Sequence, residues 1–70
     1  MPTIHVELFE GRSPEQKREL AQALTEATMK VLNCKADAVD VMFFDIARHD
    51  WATAGVPWSE RSPSPPAARP

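Results

Sequence analysis

Little in this sequence can staple a fold together. There is one cysteine, Cys34, so no internal disulfide can form. The two histidines, His5 and His49, stand far apart, and no Cys/His spacing matches a zinc site. No apolar run is long enough to span a membrane as a helix. The N-terminus lacks the basic and apolar regions of a secretory signal, so a soluble, reducing compartment, the cytoplasm, is expected. Eight basic against ten acidic residues leave a formal charge of −2, without the positive surplus of a nucleic-acid surface. Seventy residues make one small domain, which buries only a modest fraction of its surface. Such chains lean on disulfides, a metal or self-association. With the first two missing, self-association is what remains.

The patterning is clear over the first two thirds. Ile4, Val6 and Leu8 alternate with Thr3, His5, Glu7 and Phe9, the period of a strand with one buried face. Glu10-Gly11-Arg12 is a turn, with Gly11 open to backbone conformations closed to most residues. Ser13 is a good N-cap, Pro14 fits the first helical position, and Gln16 completes a capping box. Leu20, Ala23, Leu24, Ala27, Val31 and Leu32 follow at helical spacing, with Lys17, Arg18, Gln22, Glu26 and Lys30 on the other face. This predicts an amphipathic helix of roughly 18–20 residues laid on a sheet. Asn33 is suited to a left-handed C-terminal position. Val39 to Ile46 is apolar on both sides, including Met42-Phe43-Phe44, and reads as a strand covered on both faces.

Strand, helix and strand compose one β-α-β unit with parallel strands and a right-handed crossover. A two-stranded sheet with two open edges does not stand alone, so the sheet is expected to be completed by oligomerisation. A short C-terminal hairpin is expected near Ala54-Gly55. The fold class is therefore α/β, with a domain over residues 2–56. Residues 57–70, holding five of the seven prolines, read as an extended or disordered tail.

Chemistry concentrates at the N-terminus. A small second residue favours removal of Met1, and Pro2 would then carry a free secondary amine. An α-amino group titrates near about 7.7–8.0, and apolar surroundings lower that value because burial disfavours the charged form. Such a group suits proton transfer at neutral pH. Proline after methionine also occurs for processing reasons alone. Arg12 precedes a helix N-terminus, where a cation opposes the helix dipole. It is therefore a solvated turn residue or a clamp for a carboxylate, whose geometry guanidinium matches. His49, His5 and Cys34 gain no role from their sequence surroundings.

Pro2, the strand that follows, Glu10-Gly11-Arg12-Ser13-Pro14-Glu15-Gln16-Lys17 and the Val39-Asp40-Val41 strand together resemble the 4-oxalocrotonate tautomerase family. The resemblance runs from Pro2 to about Gly55. It implies a cofactor-independent isomerase acting on a 2-oxo or 2-hydroxy-enoic acid, with no metal, Pro2 as general base and Arg12 holding the substrate carboxylate. It also implies dimers sharing a four-stranded sheet, assembled as a homohexamer with pockets between subunits. Trp51 falls where the family places an aromatic lining the pocket; an interface anchor is the plainer reading. Asp40 departs from the pattern, because well-known members carry a second arginine there. Arg48, or an arginine of a neighbouring subunit, would replace that charge. Alternatively Asp40 works beside Pro2, as carboxylates do in the family's decarboxylase and dehalogenase members, in a dehalogenase, hydratase or decarboxylase of a small unsaturated or 3-oxo acid. The plainest reading of Asp40 is a surface residue at a strand edge. A third reading is a weakly active subunit of a hetero-oligomer.

Overall fold

The alternation of Ile4, Val6 and Leu8 becomes strand β1, Thr3–Phe9, in a computed structural model that describes residues 2–61. β1 lies parallel to β2, Asp40–Ile46, in a register running from Thr3 beside Asp40 to Phe9 beside Ile46. The ladder extends past β1 at each end: the Asp40 N–H donates to the Pro2 carbonyl at 3.0 Å, and the Glu10 N–H to the Ile46 carbonyl at 3.1 Å. Pro2 is therefore part of the sheet, and the turn that carries Arg12 is tied to the end of β2. Gly11, at φ +116°, makes that turn in a region L side chains rarely adopt.

Helix α1, Pro14–Leu32, connects the strands. Its start is as the sequence leads one to expect. The Ser13 hydroxyl accepts from the Gln16 N–H at 3.1 Å, and the Gln16 side chain accepts from the Ser13 N–H at 3.1 Å. Asn33 closes the helix in the left-handed region, φ 56°. Glu15 in the first turn and Lys30 in the last complement the helix dipole.

The face α1 turns to the sheet differs from the expected one. Lys17, Ala21, Leu24, Thr25, Thr28 and Met29 are half-buried, whereas Leu20, Ala23, Ala27, Val31 and Leu32 are exposed, Val31 by 78%. At 3.6 residues per turn the helix is rotated by about a quarter of a turn from the apolar stripe. Thr25 and Thr28 tolerate the inward face; the Thr28 hydroxyl, for one, donates to the Leu24 carbonyl at 2.7 Å. A second apolar stripe is thus left uncovered within the chain.

β2 is likewise covered on one face only. Val41 and Phe43 lie under α1, while Met42 (42% exposed) and Phe44 (41% exposed) point away from it. His5 shares that outer face, its ring 5.3 Å from that of Phe44. Two-sided apolar composition here does not reflect two-sided burial inside one chain, because nothing in residues 2–61 reaches the outer face. No side chain among the described residues is fully buried.

After a 3-10 turn at Arg48–Asp50, β3 (Ala52–Thr53) and β4 (Val56–Pro57) form an antiparallel hairpin. Ala54 (φ 56°) and Gly55 (φ 81°) make its two-residue loop, the positive-φ pair that suits the twist of such hairpins. The domain boundary expected at residue 57 therefore cuts through β4, and a 3-10 turn follows at Trp58–Glu60. Proline content misplaces this boundary because Pro57 sits on a two-stranded hairpin, where a missing N–H is tolerated. The rest of the expected tail, residues 62–70, lies outside the described residues. No helix among the described residues is long and apolar enough to cross a membrane.

Candidate active site

The parallel register sorts the chemistry into two ends. At the N-terminal end, Pro2 and Asp40 are neighbours, joined by the Asp40 N–H to Pro2 carbonyl bond. Pro2 is half-buried and Asp40 exposed. At the C-terminal end lie Arg12, Arg48 and Trp51. The seven residues of β1 separate the two ends, about 20 Å at the usual rise of a strand. Pro2 and Arg12 of one chain therefore do not meet on one small molecule. The structure pairs Pro2 with Asp40, and Arg48 with Trp51; it does not bring Pro2 to Arg12.

Phe9 organises the C-terminal end. Its ring centroid is 4.7 Å from that of Trp51, and the Arg48 guanidinium carbon sits 4.4 Å above it. Trp58 meets it edge-on at 5.7 Å. Aromatic pairs of this geometry contribute about 0.5–1.5 kcal/mol beyond their burial, and an exposed guanidinium over a ring about 0.5–1 kcal/mol. Arg48 is thus held in place by a ring while its N–H groups stay free for an anion.

Phe9 also borders an open groove of about 410 Å³ between β1 and the first half of α1, whose walls include Val6, Leu8, Arg12, Gln16, Lys17 and Leu20. Its floor is apolar and its rim cationic. Lys17 is engaged, its ammonium 2.7 Å from Asp45. Arg12 and Arg48 have no ion-pair partner among the described residues. Since Ser13 and Gln16 complete the helix cap between themselves, Arg12 has no capping duty. The Arg48 guanidinium over the Phe9 ring and Arg12 on the wall of the groove that Phe9 borders are groups that suit a planar anion.

Other candidates fall away. His49 is 3.5 Å from Asp50 on the surface. Cys34 is a free, half-buried thiol at the helix exit. No group of three metal-ligating side chains lies together among the described residues. Sequence reasoning passed over Phe9 and Trp58. The strand pattern put Phe9 on the solvent side of β1, although its place two residues before Gly11-Arg12 marks the same end as the arginine. Trp58 lies among the prolines, yet its spacing from Trp51 across a hairpin loop is a signal that the two flank one another.

The chain has close relatives. A family model described as "Tautomerase enzyme" matches residues 2–61. A probable tautomerase of Ralstonia nicotianae is 37% identical over 65 residues, covering 93% of each chain. One from Lactococcus lactis is 46% identical over 46 residues, 66% of this chain and 75% of that one. Among solved structures, a 4-oxalocrotonate tautomerase homologue in the tomaymycin biosynthetic pathway superposes with a TM-score of 0.84 at 38% identity, covering 90% of this chain and all of that one. A heterohexamer 4-oxalocrotonate tautomerase from Chloroflexus aurantiacus gives 0.80 at 30% identity, over 86% and 97% of the two chains. The match extends through Arg61, so the hairpin and the final turn belong to the same unit as the β-α-β element. By this match of sequence and fold, the chain belongs to the tautomerase family.

Proposed function

We propose that the chain is a cofactor-independent tautomerase of a 2-oxo or 2-hydroxy-enoic acid, with Pro2 as general base. The observation that carries this reading is the position of Pro2: its carbonyl is locked in the sheet by the Asp40 N–H at 3.0 Å. Once Met1 is removed, the amine stands at a fixed point at the strand's end. Pro2 takes a proton, from the carbon alpha to the carbonyl of a 2-oxo acid or from the hydroxyl of a 2-hydroxy-enoic acid, and the same proton returns at another position of the conjugated acid. No redox partner is required.

The carboxylate is held by Arg12, and Arg48 supplies the second positive charge, directed at the adjoining oxygen where negative charge grows as the enolate forms. Phe9 and Trp51 give a planar wall that excludes water. Because Pro2 and Arg12 lie at opposite ends of β1, the working site takes Pro2 from one subunit and the arginines from another. A homohexamer built as three dimers meets that requirement. The Chloroflexus aurantiacus neighbour, a heterohexamer, supports an assembly of six subunits. A reducing compartment, the cytoplasm, suits the free thiol of Cys34.

A second reading rests on Asp40. A carboxylate beside the amine favours its protonated form. Pro2 would then act as an acid, with Asp40 orienting water, in hydration, dehalogenation or decarboxylation of a small unsaturated or 3-oxo acid.

The test begins with intact mass, to establish that Met1 is absent. Ketonisation of the enol of phenylpyruvate is then followed for the protein and for Pro2→Ala. Loss of a positioned general base lowers the rate by about 10²–10⁴-fold. Retained Met1, or equal rates in the two proteins, sinks the general-base reading.

A further inference from the structure

The aromatic cluster at the C-terminal end of β1 does not stop at Trp51. Trp58 is tied into it three ways. Its backbone N–H donates to the Trp51 carbonyl at 2.9 Å, its indole N–H to the Thr53 hydroxyl at 2.9 Å, and its ring meets Phe9 edge-on. Arg61 closes the arrangement from outside: one guanidinium nitrogen, Nη2, donates to the Thr53 carbonyl at 2.7 Å, and the group lies 4.5 Å over the Trp58 ring. The order in space is Arg48, Phe9, Trp58, Arg61, a stack of cation, ring, ring and cation. Thr53 is gripped at its side chain by Trp58 and at its carbonyl by Arg61.

We propose that Trp58 and Arg61 are positioning residues for the anion site. They fix the Phe9 ring, and through it the height and direction of the Arg48 guanidinium and the plane of Trp51. The inference rests on the reading that Arg12 and Arg48 hold the substrate's carboxylate and adjoining oxygen. Phe9 is the shared contact: Arg48 lies against its face and Trp58 against it edge-on. With Arg61 removed, Thr53 loses one of the two side chains that hold it, the Trp58 ring loses its outer cover, and Phe9 gains room to tilt. Arg48 then rests on a moving ring.

A purely structural role predicts something different: a less stable hairpin, with Arg48 working as before in every folded molecule. The full chain distinguishes these. In ketonisation of the enol of phenylpyruvate, Arg61→Gln is expected to raise KM about fivefold or more while kcat stays within about twofold. Arg61→Lys, which keeps a cation over Trp58, restores most of the loss. In the double variant with Arg48→Gln, the change at Arg61 adds nothing further, because the group it positions is gone. Additive effects of the two changes, or a lowered unfolding midpoint with unchanged KM, overturn the proposal.

Binding of benzoate, followed through the two indole N–H signals, gives the same comparison without turnover. The dissociation constant should rise in Arg61→Gln and show the same lack of additivity with Arg48→Gln. If benzoate does not bind the unsubstituted protein, this inference and the anion-site reading both fall. If turnover survives Pro2→Ala while the benzoate result holds, only the general-base reading falls.

Discussion

Asp40 is the residue on which the two proposed readings differ. Its backbone N–H binds the Pro2 carbonyl, so its place next to Pro2 is set by the first rung of the sheet. Under the general-base reading, its negative charge holds a proton on the amine and shifts the rise of the rate to higher pH. Asp40→Asn removes that charge, so the ascending limb of the rate-pH profile should move to lower pH with tautomerase activity kept. Under the acid reading, Asp40→Asn should abolish hydration or decarboxylation outright. A pH-rate profile of the two proteins separates these outcomes, and an unmoved profile with every activity retained leaves Asp40 a surface residue. Pro2, Arg12 and Asp40 were legible in sequence as candidates because each is an unusual residue at a marked position: a terminus, a helix start, a strand start. Their separation was not, since only the parallel register shows that Pro2 and Asp40 share one end of the sheet and Arg12 the other. Phe9 escaped notice for a related reason. A period-two pattern assigns a face but not what waits beyond the strand's end.

At the level of elements, local chemistry was read well and orientation poorly. The capping box, the Asn33 exit and the hairpin loop all arise from interactions within a few residues, which a sequence displays directly. The face of α1 depends on its partners, and two neighbouring apolar stripes left the choice to the sheet. The hairpin loop offers a quantitative check. Ala54 sits at φ 56°, where an L side chain costs roughly 1–2 kcal/mol. Ala54→Gly should therefore stabilise the fold, by less than that amount because glycine also loosens the unfolded chain. Gly55 lies at φ 81° with open space where a Cβ would project. Gly55→Ala should destabilise by about 1 kcal/mol through backbone strain alone. Denaturant midpoints of the three proteins measure both effects, and a less stable Ala54→Gly would contradict the left-handed loop.

The whole molecule is incomplete as a single chain. Among the described residues both sheet edges are open, no side chain is fully buried, and two apolar surfaces face outward: Val31 with Leu20 on α1, and Met42 with Phe44 on the sheet. Fully burying one such side chain contributes about 1.5–3 kcal/mol, and whole-domain stabilities are only about 5–15 kcal/mol. Covering both surfaces is therefore of the same order as the entire stability of the fold. They lie on different elements and face different directions, so a single two-fold contact does not cover both; two kinds of interface would, as in dimers that assemble further. Phe44→Glu places a charge on the sheet face, and Val31→Glu on the helix stripe. Each should reduce the assembly seen by light scattering coupled to gel filtration. The two should stop at different intermediate sizes if the surfaces serve different interfaces. Under the proposed site, with Pro2 and Arg12 from different subunits, either break that separates them should also remove turnover without altering either residue. An unsubstituted protein that remains monomeric and inactive when pure would instead favour the hetero-oligomer, with a related chain covering these surfaces and completing the site.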